Sequence, residues 1–309
     1  MSSDQPTSAP VDASAETDAS AETDASVETD TSAEMDATTT ADATSPLGDD
    51  EDIVLRTEGL VKKFGEFIAT DHVDLEIERG EFRSIIGPNG AGKTTLFNLI
   101  SGALPVTDGH IRFSASPDAE FTDITSLSPA ERVHRGIGRS FQISNVFGGL
   151  SVRENVRLAA QSVNRDEYGL FESLFKPTDR YEPINAETDR VLNRIGLDDV
   201  ADLKADALAY GDRRRLEIGV VLATDPQLVL FDEPTAGMSV EETRDTIDLI
   251  EEALVDQTLL LIEHDIQLVM ELSDRISVLN RGEILAEGTP EKIADDEDVQ
   301  DAYLGGMVE

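Results

Sequence analysis

The chain has 309 residues, 39% of them hydrophobic, which is enough for one large domain or two lobes sharing a core. It carries 64 acidic against 25 basic residues, a formal net charge of −39, and so lacks the basic footprint that nucleic-acid binding requires. Zero cysteines exclude disulfides and cysteine-ligated metals, and no apolar run approaches the roughly 18 residues of a membrane span.

The opening MSSDQPTSAP has neither the basic stretch nor the apolar stretch of a secretory signal. The hexad ASAETD at Ala13–Asp18 returns as ASAETD, ASVETD and TSAEMD through Asp36. Such a repeat has almost no large apolar side chains, so it cannot offset the entropy of ordering, and residues 1–52 read as a disordered acidic tail. A solvating spacer is its simplest role, with regulation as the alternative. The tail holds 15 of the acids and none of the bases, and the remainder still carries 49 acids against 25 bases. Only six of those bases are lysine. The composition is similar to that of proteins from extreme halophiles, whose surfaces stay solvated at molar salt, where the Debye length is about 3 Å.

From Ile53 the pattern changes to alternating strands and helices. IVLRTEGLVKKF and HVDLEI read as short strands, and EFRSIIG reads as a buried apolar strand. GPNGAGKTT, Gly87 to Thr95, follows and leads into the apolar helix LFNLISG. Gly87, Gly92, Lys93 and Thr94 fit G-x-x-x-x-G-K-[ST] between a strand and a helix, the context that gives this motif its meaning. The loop (Gly87, Pro88, Asn89, Gly90, Ala91, Gly92) turns its N–H groups inward to cradle phosphate, and the helix start adds partial positive charge. Lys93 reaches the β- and γ-phosphates, the Thr94 hydroxyl ligates Mg²⁺, and Thr95 continues the helix start. This site binds a nucleoside triphosphate.

A second strand, QLVLFDEP at Gln227–Pro234, ends in paired carboxylates. Its apolar run predicts a strand covered on both faces, with the acids exposed at its carboxyl edge. There Asp232 can hold Mg²⁺, and Glu233, one step on and pointing to the other side of the strand, suits a base that polarises water. A third strand, TLLLIEHD, brings His264 to the same edge. A lone histidine favours a structural role, and its position after the third strand favours sensing of the γ-phosphate.

The order GPNGAGKTT, RSFQ, LAYGD, LVLFDEP and LIEHD resembles the ATP-binding subunits of ABC transporters over Ile53 to the end of the chain. The resemblance implies an α/β fold of the P-loop NTPase type, a RecA-like core with an antiparallel β subdomain and an inserted α-helical subdomain, the latter over about residues 150–210. SVRENVRLAAQSV and INAETDRVLNRIGL carry the helical pattern of that subdomain. It also implies roles the residues leave open. Phe64 in LVKKFG, otherwise as readily a core phenylalanine, matches the aromatic that stacks on adenine. Gln142, otherwise an ordinary solvated polar residue, matches the glutamine that senses Mg²⁺ and relays the nucleotide state.

In this family an LSGGQ-like segment opens a helix and closes over the ATP held by the opposite subunit. The corresponding residues here are Leu208, Ala209, Tyr210, Gly211 and Asp212, of which only the leucine and the second glycine keep the pattern. Ala209 lacks a hydroxyl whose bond to a charged acceptor is worth about 1.5–3 kcal/mol. Asp212 adds repulsion of about 2 kcal/mol at ~8 Å and an effective dielectric of ~20, less in salt. The backbone amides near Gly211, the helix start and Arg213, Arg214 and Arg215 oppose these losses. With Lys93, Asp232, Glu233 and His264 in place, the expectation is a weakened rather than a lost hydrolysis site.

The altered signature also narrows the resemblance. LAYG with RRLEI, FDEPTAGM, EET, LIEHDIQLVM and the closing AYLGG are similar to ATP-binding subunits of branched-chain amino acid importers, with urea and short-amide importers as the alternative. Met238 and Ser239 stand where the wider family has leucine and aspartate, which puts that aspartate's inter-subunit contact in doubt. The resemblance implies a homodimer, or a heterodimer with a second ABC ATPase, closing around two Mg·ATP at the cytoplasmic face of the membrane. The implied partners are two membrane permeases and, indirectly, an extracellular solute-binding protein, with no nucleic acid. A non-transport ABC ATPase and a non-hydrolysing regulatory subunit are the remaining alternatives.

Overall fold

Two long strands open the fold. β1 (Ile53–Phe64) and β2 (Phe67–Glu78) pair antiparallel around the turn Gly65–Glu66. β1 spans the predicted IVLRTEGLVKKF, whereas β2 is twice the length of HVDLEI, because it starts at the hairpin tip with the exposed Phe67 and Ile68. The computed structural model describes residues 52–140, 146–163 and 182–305, which fall within one compact unit. The tail predicted for residues 1–52, Asp52 apart, and Gln142 lie outside the described residues.

β4 (Asp108–Phe113) and β5 (Thr122–Asp123) complete a four-stranded antiparallel sheet ordered β2-β1-β4-β5. The second sheet contains β3 (Phe82–Ile86), β6 (Ile137–Arg139), β7 (Leu228–Asp232), β8 (Thr258–Ile262), β9 (Arg275–Asn280) and β10 (Glu283–Gly288). Its order is β10-β9-β3-β8-β7-β6, parallel except for the antiparallel edge strand β10. Parallel strands need helical crossovers; helices cover one face of the sheet, and a helix together with the antiparallel sheet covers the other.

The central strands show why their sequences look uniformly apolar. Leu228 and Leu230 of β7 join one core and Val229 and Phe231 another; in β8, Leu260 and Ile262 face the first and Leu259 and Leu261 the second. The period of two persists, but both faces are buried. The first core lies between the two sheets and takes in Leu96, Phe97, Leu99 and Ile100 of α1 (Lys93–Ile100). The second receives the helices α3 (Val152–Val163), α4 (Glu182–Arg194), α5 (Tyr210–Leu222) and α6 (Val240–Ala253). α3 and α4 form the inserted helical layer between β6 and α5, each burying one stripe: Val152, Val156 and Ala160 on α3, and Ile184, Val191 and Leu192 on α4.

Two buried arginines mark joints that hydrophobicity alone does not reveal. Arg83, 1% exposed, sits within the strand read as apolar. It pairs with Glu81, donates to Ser277 Oγ and Glu287 Oε1 at 2.8 Å each, and donates to the Glu76 carbonyl at 3.0 Å. The apolar reading is corrected at this position, where a fully paired charge takes the place of a hydrophobe. Arg132, on the short helix α2 (Pro129–His134), is also 1% exposed and donates to the carbonyls of Leu99, Ile100, Thr125 and Leu127. Leu99 and Ile100 close the carboxyl end of α1, so a cation sits where the helix dipole favours one.

Candidate nucleotide-binding site

The loop after β3 is shaped by two glycines that admit no side chain. Gly87 has φ 151°, and a Cβ there would lie 2.0 Å from the Leu279 carbonyl oxygen. Gly92 has φ 106°, and a Cβ would meet the Ala69 carbonyl oxygen at 2.3 Å. β2 and the β9 end therefore press directly on the loop backbone. Between the two glycines, Pro88 is half-buried, Asn89 and Gly90 face solvent and Ala91 is buried. Gly92 occupies the cap position of α1 and offers no side-chain cap, leaving the amides of the first turn without a side-chain acceptor. Thr94 is exposed and Thr95 half-buried. Lys93 Nζ folds back to donate to the carbonyls of Gly87 at 2.6 Å and Pro88 at 3.2 Å. Burial lowers the Lys93 pKa, and the charge of Glu233 partly opposes that.

The acids at the carboxyl edge of β7 are arranged differently from a simple strand end. Asp232 is the last residue of β7 and is 8% exposed, so the expectation of an exposed carboxylate is corrected. Burial raises its pKa, the Arg139 charge 3.7 Å away opposes that, and Glu233 adds to the rise. The strand does not continue through Glu233, whose φ of 49° turns the chain into the left-handed region. The Glu233 N–H still donates to the Ile262 carbonyl at 2.9 Å, anchoring the turn to β8. A left-handed non-glycine residue costs about 1–2 kcal/mol. What it achieves here is to aim Glu233 Oε1 at His264 Nε2, 2.5 Å away on the neighbouring strand end. Beneath them, the buried Glu263 accepts from the Thr235 hydroxyl at 2.6 Å, the Thr235 N–H at 3.1 Å and the His264 N–H at 3.1 Å. Lys93, Asp232, Glu233 and His264 thus converge on one edge and act on one another electrostatically.

Leu208 packs partly against the helical core, while Ala209, Tyr210 and Gly211 are exposed at the start of α5. Ala209 is the cap residue, in extended conformation and without a side-chain cap. Asp212 lies in the first turn, where its charge complements the helix dipole, a stabilising use that offsets its repulsion of phosphate. Arg214 donates to Glu217 at 2.8 Å and to the Pro234 carbonyl at 3.1 Å, tying α5 to the turn that follows Glu233. A cavity of about 550 Å³ lies there, lined by Tyr210, Arg213, Arg214, Asp232 and Glu233 among others. Ala209→Ser supplies the missing cap, so it is expected to stabilise the protein by about 0.5–2 kcal/mol and to leave hydrolysis equal or faster. A collapse of the ATPase rate would instead show that the alanine is required by packing.

Phe64 stands apart on the antiparallel sheet, 48% exposed at the hairpin tip, with Lys62 Nζ 5.1 Å from its ring centroid. It is not a core phenylalanine. Ser239, expected only as a departure from the family pattern, caps α6 in a reciprocal box with Glu242. Sequence reasoning missed Arg139, which stacks over Phe97 at 4.7 Å and donates to Asn98 Oδ1 and Ser101 Oγ while facing Asp232. It is the first residue of the RSFQ stretch, of which only Gln142 had been given a role.

Residues 70–236 match the family described as ABC transporter, more than half of the chain. The chain belongs to the ABC transporter ATP-binding family. It is an ABC ATPase, and residues 283–309 also match the family described as branched-chain amino acid ATP-binding cassette transporter. Among its relatives are the high-affinity branched-chain amino acid transport ATP-binding proteins LivG of Escherichia coli strain K12 and of Salmonella typhimurium. Each is 41% identical over 258 residues, covering 82% of this chain and 98% of the relative. BraF of Pseudomonas aeruginosa, with the same description, is 39% identical over 257 residues, 82% of this chain and 98% of its own. A solved ATP-binding cassette of an ABC transporter in its ADP conformation superposes with TM-score 0.67 at 34% identity, over 82% of this chain and 99% of that one. A cassette solved as a dimer in a post-hydrolysis state with ADP and Pi superposes with TM-score 0.57 at 26% identity, over 76% and 98%. Among the described residues no helix is long and apolar enough to cross a membrane.

Proposed function

We propose that this ABC ATPase powers uptake of branched-chain amino acids, acting from the cytoplasmic face of the membrane on two permease subunits fed by an extracellular solute-binding protein. The observation that carries the reading is the match of residues 283–309 to the branched-chain cassette family, at the end of a chain similar throughout to LivG and BraF.

Within the site, Phe64 stacks on adenine, and backbone N–H groups of the loop and helix start from Asn89 to Thr95 receive the phosphates. Lys93 exchanges its two carbonyl acceptors for phosphate oxygens. No cluster of three or more His, Asp or Glu among the described residues forms a metal cage. The donors present, the Thr94 hydroxyl and the Asp232 carboxylate, are hard oxygens of the kind that bind Mg²⁺ alongside substrate phosphates. Gln142 completes that set, and bound Mg²⁺ would neutralise charge on the β- and γ-phosphates. Glu233 accepts the proton of the attacking water. The contact of Glu233 Oε1 with His264 Nε2 at 2.5 Å links the base to the γ-phosphate sensor and leaves the second carboxylate oxygen for water. Leu208 to Asp212 act in trans in a dimer, whose second chain is a copy or a paralogue.

The permeases fit a groove of about 210 Å³ between α2, β6 and α5, lined by Pro129, Val133, Ile137, Val220 and Val221. Residues 1–52 act as an acidic spacer, and the surplus of 64 acids over 25 bases suits a chain working at high salt. Proteoliposomes holding the permeases, this chain and the solute-binding protein test the assignment. Uptake of leucine that depends on internal Mg·ATP is expected. Uptake of urea in place of leucine, or hydrolysis with no transport, would sink it.

A further inference from the structure

The carboxyl-terminal segment returns to the phosphate loop from several directions. At its base, Glu287 of β10 binds the buried Arg83 of β3 at 2.8 Å. At the hairpin tip, Arg281 and Gly282 both have positive φ, 51° and 89°, the mark of a two-residue primed turn. That turn touches the loop, since the Gly282 N–H donates to the Ala91 carbonyl at 2.8 Å and the Gly282 carbonyl accepts from the Asp71 N–H at 2.8 Å. The chain then passes through α8 (Pro290–Ala294) into α9 (Glu297–Gly305). The Tyr303 ring packs against a cluster that includes Ile86, Ile276, Val278 and Ile293. Ile86 immediately precedes Gly87, and the Tyr303 hydroxyl meets the Gly87 backbone. Gly87 is also the residue whose carbonyl holds Lys93 Nζ at 2.6 Å. A tyrosine ring packed into an apolar cluster places its hydroxyl where it needs a polar partner, and this one finds it on the first residue of the loop.

We propose that Tyr303 is a positioning residue, whose hydroxyl pins Gly87 so that docking of α9 sets the affinity of the loop for triphosphate. Without the pin, the loop gains freedom that nucleotide binding must remove, so affinity falls while the groups that do the chemistry stay where they are. The inference rests on the reading of this loop as the phosphate cradle.

Tyr303→Phe in the full-length protein keeps the ring and deletes the hydroxyl. Calorimetric titration with Mg·ATP and steady-state hydrolysis are expected to show Kd and KM raised about three- to tenfold, the ratio one ordinary hydrogen bond supplies. The kcat stays within about twofold and the melting temperature falls by no more than about 5 °C, the loss of one net hydrogen bond. An unaltered Kd overturns the proposal, as does a fall in kcat and melting temperature at constant KM, the pattern of a merely structural residue. If the unsubstituted protein itself binds no ATP, the parent reading falls as well. Near-ultraviolet titration gives an independent readout. Burial pushes the Tyr303 hydroxyl up to about 12, partly opposed by its contact with the Gly87 backbone, so the phenol stays neutral until the pH rises to that value. A late-titrating tyrosine should therefore be present in the unsubstituted protein and absent in Tyr303→Phe. Its persistence in the variant would overturn the assignment.

Discussion

Glu233→Gln is expected to lower kcat for ATP by about 10²- to 10⁴-fold, the range removed with a general base, and to leave the protein as an ATP-bound dimer. Glutamine has the shape of glutamate and can still bond to His264 across the 2.5 Å contact, so the local geometry survives. The left-handed turn at φ 49° is also retained, because it is set by the anchor of residue 233 to the Ile262 carbonyl and not by the charge. What disappears is the capacity to take a proton from water. Phosphate release and size-exclusion chromatography with Mg·ATP check both halves of the expectation. Unchanged hydrolysis would remove Glu233 from its role as base.

The second large effect concerns stability. Arg132→Ala strips the donor from the carbonyls of Leu99, Ile100, Thr125 and Leu127, and is expected to destabilise the fold by about 3–5 kcal/mol, at the severe end for a single substitution. Burial lowers the Arg132 pKa to about 10, with Asp123 opposing, so the guanidinium is still charged at neutral pH. Arg132→Lys keeps the charge but not the fork that reaches several carbonyls at once, and should recover only part of the loss. Urea unfolding at neutral pH measures both variants. A loss below about 1 kcal/mol, the level of a single net hydrogen bond, would show that water replaces the guanidinium without penalty.

How much of this was legible in the sequence depended on distance along the chain. The loop from Gly87 to Thr95 could be read outright, because the glycines, the lysine and the helix start act on residues adjacent to one another. The end of β7 was half legible. Its apolar run gave the buried strand and placed Asp232 at the edge, but the left-handed turn at Glu233 depends on β8, which a strand pattern cannot contain. Arg83 was hidden inside an apolar run because its partners Ser277 and Glu287 lie far downstream. Arg132 was hidden for a similar reason, since its acceptors belong to an earlier helix. The roles of Phe64 and Gln142 rest on family resemblance alone; Phe64 is exposed and Gln142 lies outside the described residues.

The two helix starts assigned to phosphate share one trait. α1 begins on Gly92 and α5 on Ala209, neither with a side-chain cap, a trait they share with the short α8 on Thr289, whereas α2, α6 and α7 (Ile266–Leu272) begin on Ser128, Ser239 and Asp265, each of which caps its helix. In the proposed dimer the nucleotide would serve as a removable piece of secondary structure. Triphosphate held between two chains would complete both first turns, one from each side. Cleavage of the γ-phosphate would withdraw the end that α5 shares and leave the end that α1 holds, so that local folding at the two helix starts would be coupled to bond cleavage.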